Sequence, residues 1–220
     1  MFIRTMDYHN KRNDLVEKLR QEGRIRTDEV KKAFLEVPRE EFVLKKMKGY
    51  SYIDTPLEIG NGQTISAPHM VAIMCESLDI KKGQKILEIG TGLGYHAAIV
   101  SKLVGKNGHI YSVERFSSLA KKAKENLKNA NIKNVTIIIG DGSEGLKIYA
   151  PYERIYVTCA APNIPSPLID QLNDPGKLMV PVGRIMCILK LLEKIEGELI
   201  KKDLGGCAFV PLVGKYGFKL

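Results

Sequence analysis

Three acidic side chains stand at or near the ends of short apolar runs. Glu88 lies two positions before Gly90, Glu114 ends the run HIYSVE, and Asp141 sits between Gly140 and Gly142. After Glu88, glycines recur at alternate positions as Gly90, Gly92 and Gly94, and the apolar residues Ala97, Ala98, Ile99 and Val100 follow. An apolar strand, a glycine turn and a helix in that order form the first half of a nucleotide-binding βαβ unit. The turn needs positive φ, and a ligand must reach the backbone without meeting a Cβ. Dinucleotide sites carry G-x-G-x-x-G, with the pyrophosphate on the helix N-terminus. Here the order is Glu88-x-Gly90-x-Gly92-x-Gly94, with a carboxylate inside the strand. Such a carboxylate repels a pyrophosphate and tolerates a cation, which favours the sulfonium of S-adenosylmethionine over NAD. Glu114 follows Gly90 by 24 residues, the approximate separation at which a carboxylate accepts both ribose hydroxyls. Asp141 is placed to accept the adenine amino group. The plainer alternatives are a strand-end charge for Glu114 and a Gly-Asp-Gly turn for Asp141.

The elements that must position these residues alternate in type. Residues 13–42 read as two amphipathic helices: Leu15, Val16 and Leu19 form one stripe stopped by Gly23, and Val30, Ala33, Phe34 and Val37 form the next. Thr27 is placed to cap the second helix and Pro38 to end it. Residues 50–63 read as an ordered loop with one short strand. A helix is expected over 70–78, with Ser66 as its N-cap and Pro68 in its first turn. From residue 85 strands and helices alternate: strands near 86–89, 109–114, 135–139 and 152–158, with helices near 95–100, 117–129 and 167–172. Segments 176–182, 185–193 and 207–212 read as closing strands with little helix between them. The expectation is an α/β doubly wound, Rossmann-like sheet, mostly parallel, with an antiparallel C-terminal hairpin and an N-terminal helical extension. One domain is expected, residues 1–63 flanking a core of 64–220. Residues 1–5 are expected to be unstructured.

Composition narrows the function classes. The 220 residues are 44% hydrophobic and 27% charged, as in a globular protein with a full core. The net charge of +9 comes from lysines scattered as pairs (Lys31-Lys32, Lys45-Lys46, Lys81-Lys82, Lys121-Lys122, Lys201-Lys202) and from no arginine-rich, aromatic-interleaved block. That distribution argues for solvated faces and against a nucleic-acid partner. The start MFIRTMDYHNKR holds no apolar leader, and the apolar stretch 185–195 is broken by Lys190, Glu193 and Lys194, so no membrane span is expected. Cys75, Cys159, Cys187 and Cys207 lack metal-ligand or CxxC spacing, which points to the cytoplasm and to no bound metal. His9, His96 and His109 show no partner pattern and read as surface or satisfied core residues. A monomer is expected.

Several strings together carry a resemblance. Gly62-Gln63-Thr64-Ile65-Ser66-Ala67-Pro68-His69, the LEIGTGLGY turn, Gly140-Asp141-Gly142, and Ala160-Ala161-Pro162 followed by residues 168–172 resemble the protein-L-isoaspartate O-methyltransferase family, as do Val180-Pro181-Val182-Gly183 and Phe209-Val210-Pro211-Leu212. The similarity runs from about residue 15 to 217 in the family's order, and QTISAPHM is its specific part. Residues 173–177 (NDPGK) depart from the family's Lys-Pro-Gly-Gly, at what reads as a surface turn.

The resemblance implies methyl transfer from S-adenosylmethionine to the free α-carboxylate of L-isoaspartyl residues in damaged proteins and peptides. S-adenosylhomocysteine is then released, and the ester is set to close to a succinimide that hydrolyses in part to normal aspartate. A carboxylate of pKa near ~4 is already nucleophilic at neutral pH, which agrees with the lack of a strong acid–base dyad. Ser66 and Thr64 are expected to orient the substrate carboxylate by hydrogen bonds, helped by the positive end of the following helix. Gln63, Ile65, His69, Thr91, Arg115 and Gly142 join Glu88, Gly90, Gly92, Gly94, Glu114 and Asp141 around the cofactor; for His69 a plain first-turn position is the alternative. Ala160, Ala161, Pro162, Val210, Pro211 and Leu212 read as walls for an extended peptide bound through exposed main chain, or else as apolar strand-end packing. Two other functions remain: a methyltransferase of the same class acting on RNA or a small molecule, and a non-catalytic binding module. Against the first stands Thr158-Cys159-Ala160-Ala161-Pro162, where amine-methylating sites carry Asn/Asp-Pro-Pro-aromatic.

Overall fold

A computed structural model describes residues 7–219; the expectation for residues 1–5 lies outside them. Helix α1 (Tyr8–Gln21) starts where the Asp7 carboxylate accepts from the Asn10 N–H, and the chain leaves it through Gly23 at φ +69°. Helix α2 (Asp28–Glu36) is capped by the Thr27 hydroxyl and ends before Pro38, since the residue preceding a proline is pushed out of helical φ/ψ. Their stripes are buried as the periodicity predicts, and α2 packs on α4 (Tyr95–Val104).

Residues 50–63 hold more order than one strand. After two 3₁₀ turns (Arg39–Phe42, Lys45–Tyr50), strands β1 (Leu57–Gly60) and β2 (Gln63–Ile65) pair antiparallel. Asn61 and Gly62, both at positive φ, join them. Two residues at positive φ are what a type I′ hairpin turn requires. The expected boundary at 63/64 therefore cuts through a hairpin. Helix α3 (Pro68–Leu78) begins with Ala67, and not Ser66, at its N-cap.

Strands β3 (Lys85–Ile89), β4 (His109–Glu114), β5 (Val135–Ile139) and β6 (Tyr152–Val157) alternate with α4 and α5 (Ser117–Asn129). After the short α6 (Ser166–Asp170) come β7 (Leu172–Gly183), β8 (Cys187–Ile195) and β9 (Glu198–Cys207). The sheet order is β5-β4-β3-β6-β7-β8-β9, parallel from β5 to β7 and antiparallel beyond. The expected final strand over 207–212 is corrected: β9 ends at Cys207, and the following segment bridges to the strand end through Ala160 and Pro211. Glu196 and Gly197, both at positive φ, turn β8 directly into β9. Residues 173–177 are likewise no surface turn; they lie inside β7, where its pairing with β6 shifts register between Tyr152 and Arg154.

The sheet is apolar on both faces. Ile86, Ile110, Tyr156 and Met179 pack under helices α1–α5, while Leu87, Ile89, Val113, Val157 and Val180 pack against α6 and Leu212. Chain order reverses between β3 and β6, which opens a crevice at the carboxyl ends of the strands there. Among the described residues no helix is long and apolar enough to cross a membrane.

Candidate active site

That crevice opens to solvent and spans about 540 Å³ of space free of protein atoms. Its floor is Ile89, Gly90, Gly92, Val113, Glu114, Thr158 and Cys159; the β1–β2 hairpin contributes Ile59, Gln63 and Thr64, and Val210–Val213 form the far wall.

The glycine turn is built as its spacing demands. Gly90, Gly92 and Gly94 have φ of +94°, +55° and +92°, values that cost an L side chain about 1–2 kcal/mol. Thr158 at the end of β6 locks the turn, its hydroxyl donating to the carbonyls of Gly90 (2.6 Å) and Ile89 (3.1 Å). Glu114 meets the turn from the other side. One carboxylate oxygen accepts from the Gly92 N–H at 2.9 Å and the other from the Phe116 N–H at 3.0 Å. Burial pushes this carboxyl above its ordinary range, and the backbone N–H groups of Phe116 and Gly92 oppose the shift. Each oxygen keeps a lone pair, and Glu114 lines the crevice. A diol is what two parallel acceptor oxygens bind.

Several expected ligand residues stand elsewhere. Glu88 is fully buried beneath the turn and absent from the crevice wall. Its carboxyl accepts from Tyr156 Oη at 2.9 Å and from Ser112 Oγ, and burial pushes its pKa up to about 8. The electrostatic argument that set Glu88 beside a sulfonium is therefore corrected: it is a largely neutral group under the sheet. Thr91 belongs to the same cluster, 2.5 Å from Ser112 Oγ. Asp141 is also committed, one oxygen accepting from the Ser143 N–H (2.9 Å) and hydroxyl (2.7 Å) and the other from the Lys215 N–H (2.7 Å). Burial raises its pKa, but those N–H donors outweigh it and leave the group below the usual range. Its neighbour Gly142 lines the crevice. Gly94 is the left-handed N-cap of α4, and Ile65 points into the core.

The segment expected to hold a carboxylate divides in two. Thr64 lines the crevice, whereas Ser66, half-buried, sits one step behind it at the start of α3. Ser66 does not cap that helix. Asp54 does: Oδ1 accepts from the His69 N–H and faces His69 Nδ1, both at 2.9 Å. An acidic residue from the 50–63 loop thus occupies the positive helix end that sequence reasoning reserved for a substrate, and His69 is its partner, not a crevice residue. The Ser66 hydroxyl makes no hydrogen bond among the described residues, and its carbonyl accepts from Arg39 Nη2 at 2.8 Å.

Of the peptide walls, Val210, Pro211 and Leu212 line the crevice, but Ala160 and Ala161 are fully buried and Pro162 lies off it. Their main chain is not exposed either. Ala160 N–H donates to Val210 O and its carbonyl accepts from Leu212 N–H; Ala161 pairs likewise with Pro181 and Gly183. Strand-end packing is the correct account of those two alanines.

Sequence reasoning missed Ile59, Ile89, Val113, Phe116, Leu119, Thr158, Cys159 and Val213 among the lining residues. For Ile59 the signal was Asn61-Gly62, the strongest short hairpin mark; Phe116 and Leu119 open the helix directly after Glu114 and Arg115. The set fits S-adenosylmethionine: a carboxylate for ribose hydroxyls, apolar Ile59, Phe116 and Leu119 for a flat heterocycle, and side-chain-free backbone at Gly90 and Gly92.

Comparison with known proteins agrees. Residues 10–217 match the family model described as protein-L-isoaspartate(D-aspartate) O-methyltransferase (PCMT). The chain is 57% identical over 183 residues to the protein-L-isoaspartate O-methyltransferase of Methanocella arvoryzae, covering 83% of this chain and 97% of the relative. It is 52% identical over 215 residues to protein-L-isoaspartate O-methyltransferase 2 of Archaeoglobus fulgidus, covering 97% and 98%. Among solved structures, a Plasmodium falciparum beta-aspartate methyltransferase in complex with S-adenosyl-L-homocysteine superposes with a TM-score of 0.83 at 30% identity, covering 92% of this chain and 98% of that one.

Proposed function

The chain belongs to the protein-L-isoaspartate(D-aspartate) O-methyltransferase family, and from that premise we propose how this crevice carries the reaction. The protein is an S-adenosylmethionine-dependent protein carboxyl methyltransferase that esterifies the free carboxylate of L-isoaspartyl residues and so begins their repair. The RNA, small-molecule and non-catalytic readings fall away. As a finer reading, it works as a cytoplasmic monomer of one domain, without nucleic acid or membrane.

The observation that carries the site reading is the Glu114 carboxylate, wired to the Gly92 N–H and lining the crevice. When bound, S-adenosylmethionine supplies a methyl group made electrophilic by its sulfonium. Glu114 binds the ribose diol, Gly90 and Gly92 give backbone access, and Gln63, Arg115 and Gly142 line the remaining surface. Glu88, Thr91, Gly94, Ile65, His69 and Asp141 act from behind by holding the turn, helix starts and C-terminal wall in place. The substrate carboxylate is ionised at neutral pH, so no residue need remove a proton. What the chain supplies is position and dryness. Thr64 and Ser66 donate hydrogen bonds to the carboxylate, and the apolar wall of Ile59, Val210 and Leu212 excludes water.

The test is methyl transfer from labelled S-adenosylmethionine to one peptide in L-isoaspartyl and L-aspartyl forms. Base-labile label on the isoaspartyl form alone is expected; label on both forms, or on neither, would overturn the substrate assignment.

A further inference from the structure

Arg39 is the largest fully buried side chain of the described residues, with no exposed surface. It ends up beside Ser66 and not in an ion pair. Nη2 donates to the Ser66 carbonyl at 2.8 Å, and the guanidinium carbon lies 4.7 Å from the centroid of the Tyr95 ring, at the first residue of the helix that follows the glycine turn. Nε and Nη1, equally buried, have no hydrogen-bond partner among the described residues. Burial works against the Arg39 charge, Tyr95 and Tyr52 favour it, and Asp54, the carboxylate that also favours it, spends its Oδ1 on the start of α3 and on His69. The neighbouring Glu40 is bound to Arg12 and Tyr52.

A buried charge without a carboxylate partner is costly, and unlike Arg154, whose guanidinium is satisfied by three backbone carbonyls, Arg39 keeps two nitrogens without a hydrogen-bond partner among the described residues. Hydrophobic packing around Tyr95, Phe34 and Phe42 would be served as well by Met or Leu at position 39. With Asp54 on the α3 N-terminus, the helix no longer offers net positive potential to an incoming carboxylate. Arg39 is the cation that remains next to the Ser66 peptide.

We propose that Arg39 is a positioning residue for the substrate: it fixes the Ser66 peptide through its carbonyl and supplies the unpaired positive charge that draws the isoaspartyl carboxylate to the Ser66 hydroxyl. A charge fully buried behind the Ser66 peptide is screened less than one held in water, and so acts without touching the substrate. The same guanidinium lies against Tyr95 and so ties the carboxylate position to the helix that carries the cofactor turn. This rests on the reading that Ser66 orients the carboxylate, and the test separates the two.

The probe is one synthetic peptide in two forms: the L-isoaspartyl form and its neutral isostere, in which the free α-carboxylate is a carboxamide. Affinity for each is measured with S-adenosylhomocysteine saturating, for the wild type, Arg39→Met, Arg39→Lys and Ser66→Ala. Arg39→Met is expected to keep the amide affinity and the S-adenosylhomocysteine affinity, and to lower the acid-to-amide ratio on the order of tenfold. Arg39→Lys, which keeps the charge, should restore most of that ratio. Equal loss for both peptides, or an unchanged ratio, would overturn the proposal and leave Arg39 a packing residue. Should Arg39→Met fail to fold, Arg39→Gln set against Arg39→Lys reads the same ratio. If Ser66→Ala leaves the ratio untouched while Arg39→Met lowers it, the role given to Ser66 fails and the charge effect of Arg39 stands.

Discussion

Two carboxyl groups at neighbouring strands show how burial and partners divide one residue type into different roles. Glu114 has backbone donors on both oxygens and a free face toward the crevice. Glu114→Gln would set an amide N–H against one of those donors and remove the charged acceptor, so affinity for S-adenosylmethionine should fall by about 10- to 100-fold, measurable by calorimetry. Glu88 answers to pH instead. Its folded pKa of about 8 lies above the ordinary 4.5, so the native state binds the proton more tightly than the unfolded chain. The neutral form's stability is fully present below about 4.5 and is lost as pH rises toward about 8. Glu88→Gln lacks this loss. Melting temperatures taken across that window should show the wild type falling relative to the variant as pH rises, and parallel curves would mean that Glu88 ionises freely. The place of Glu114 on the crevice was legible because strand ends beside a glycine turn open onto the switch point of such a sheet. The position of Glu88 one residue from the strand end was legible too, but its neutrality was not, since Ser112 and Tyr156 reach it from other strands.

At the scale of elements, the glycine turn illustrates a constraint with two sources. Gly90 has φ +94°, and a Cβ there would stand 2.3 Å from Thr158 Oγ1. Gly62 has φ +69° with open space around it. Gly62→Ala should therefore cost only the backbone term, about 1–2 kcal/mol, while Gly90→Ala adds a clash that displaces the Thr158 lock. Thermal melts should rank Gly90→Ala well below Gly62→Ala, with S-adenosylhomocysteine binding lost only in the former. The helices and parallel strands were readable from periodicity, and helix α5 begins and ends where expected. The antiparallel pairing of β7 with β8 was expected as well, whereas the β1–β2 and β8–β9 hairpins were not read from periodicity. Asn61-Gly62 and Glu196-Gly197 turn the chain in two residues, so each strand is too short or too exposed to show alternation. All of β9 but Cys207 is exposed; its pattern carries no buried face, and only pairing with β8 makes it a strand.

At the scale of the molecule, the crevice is closed by chain that lies beyond the sheet. Segment 210–213 forms one wall, and Asp141 holds the turn after it through the Lys215 N–H, with the Ser143 hydroxyl accepting from the Tyr216 N–H. Asp141→Ala should release that turn, raising amide exchange over residues 212–217 and weakening cofactor and peptide binding together; unchanged exchange would mean that the strand-end pairs of Ala160 hold the wall alone. The sequence by itself determined the α/β class and the position of the glycine turn, because these depend on local spacing and on strand-to-helix alternation, and it carried the family through the resemblance of strings such as QTISAPHM. Tertiary structure alone decided which side chains face the crevice. Asp54 reaches α3 from a loop, Arg39 reaches Ser66 across 27 residues, and Val210 meets Ala160 across the end of the sheet. Such contacts have no sequence period, since they follow from packing between elements that the chain brings together only when the sheet has closed.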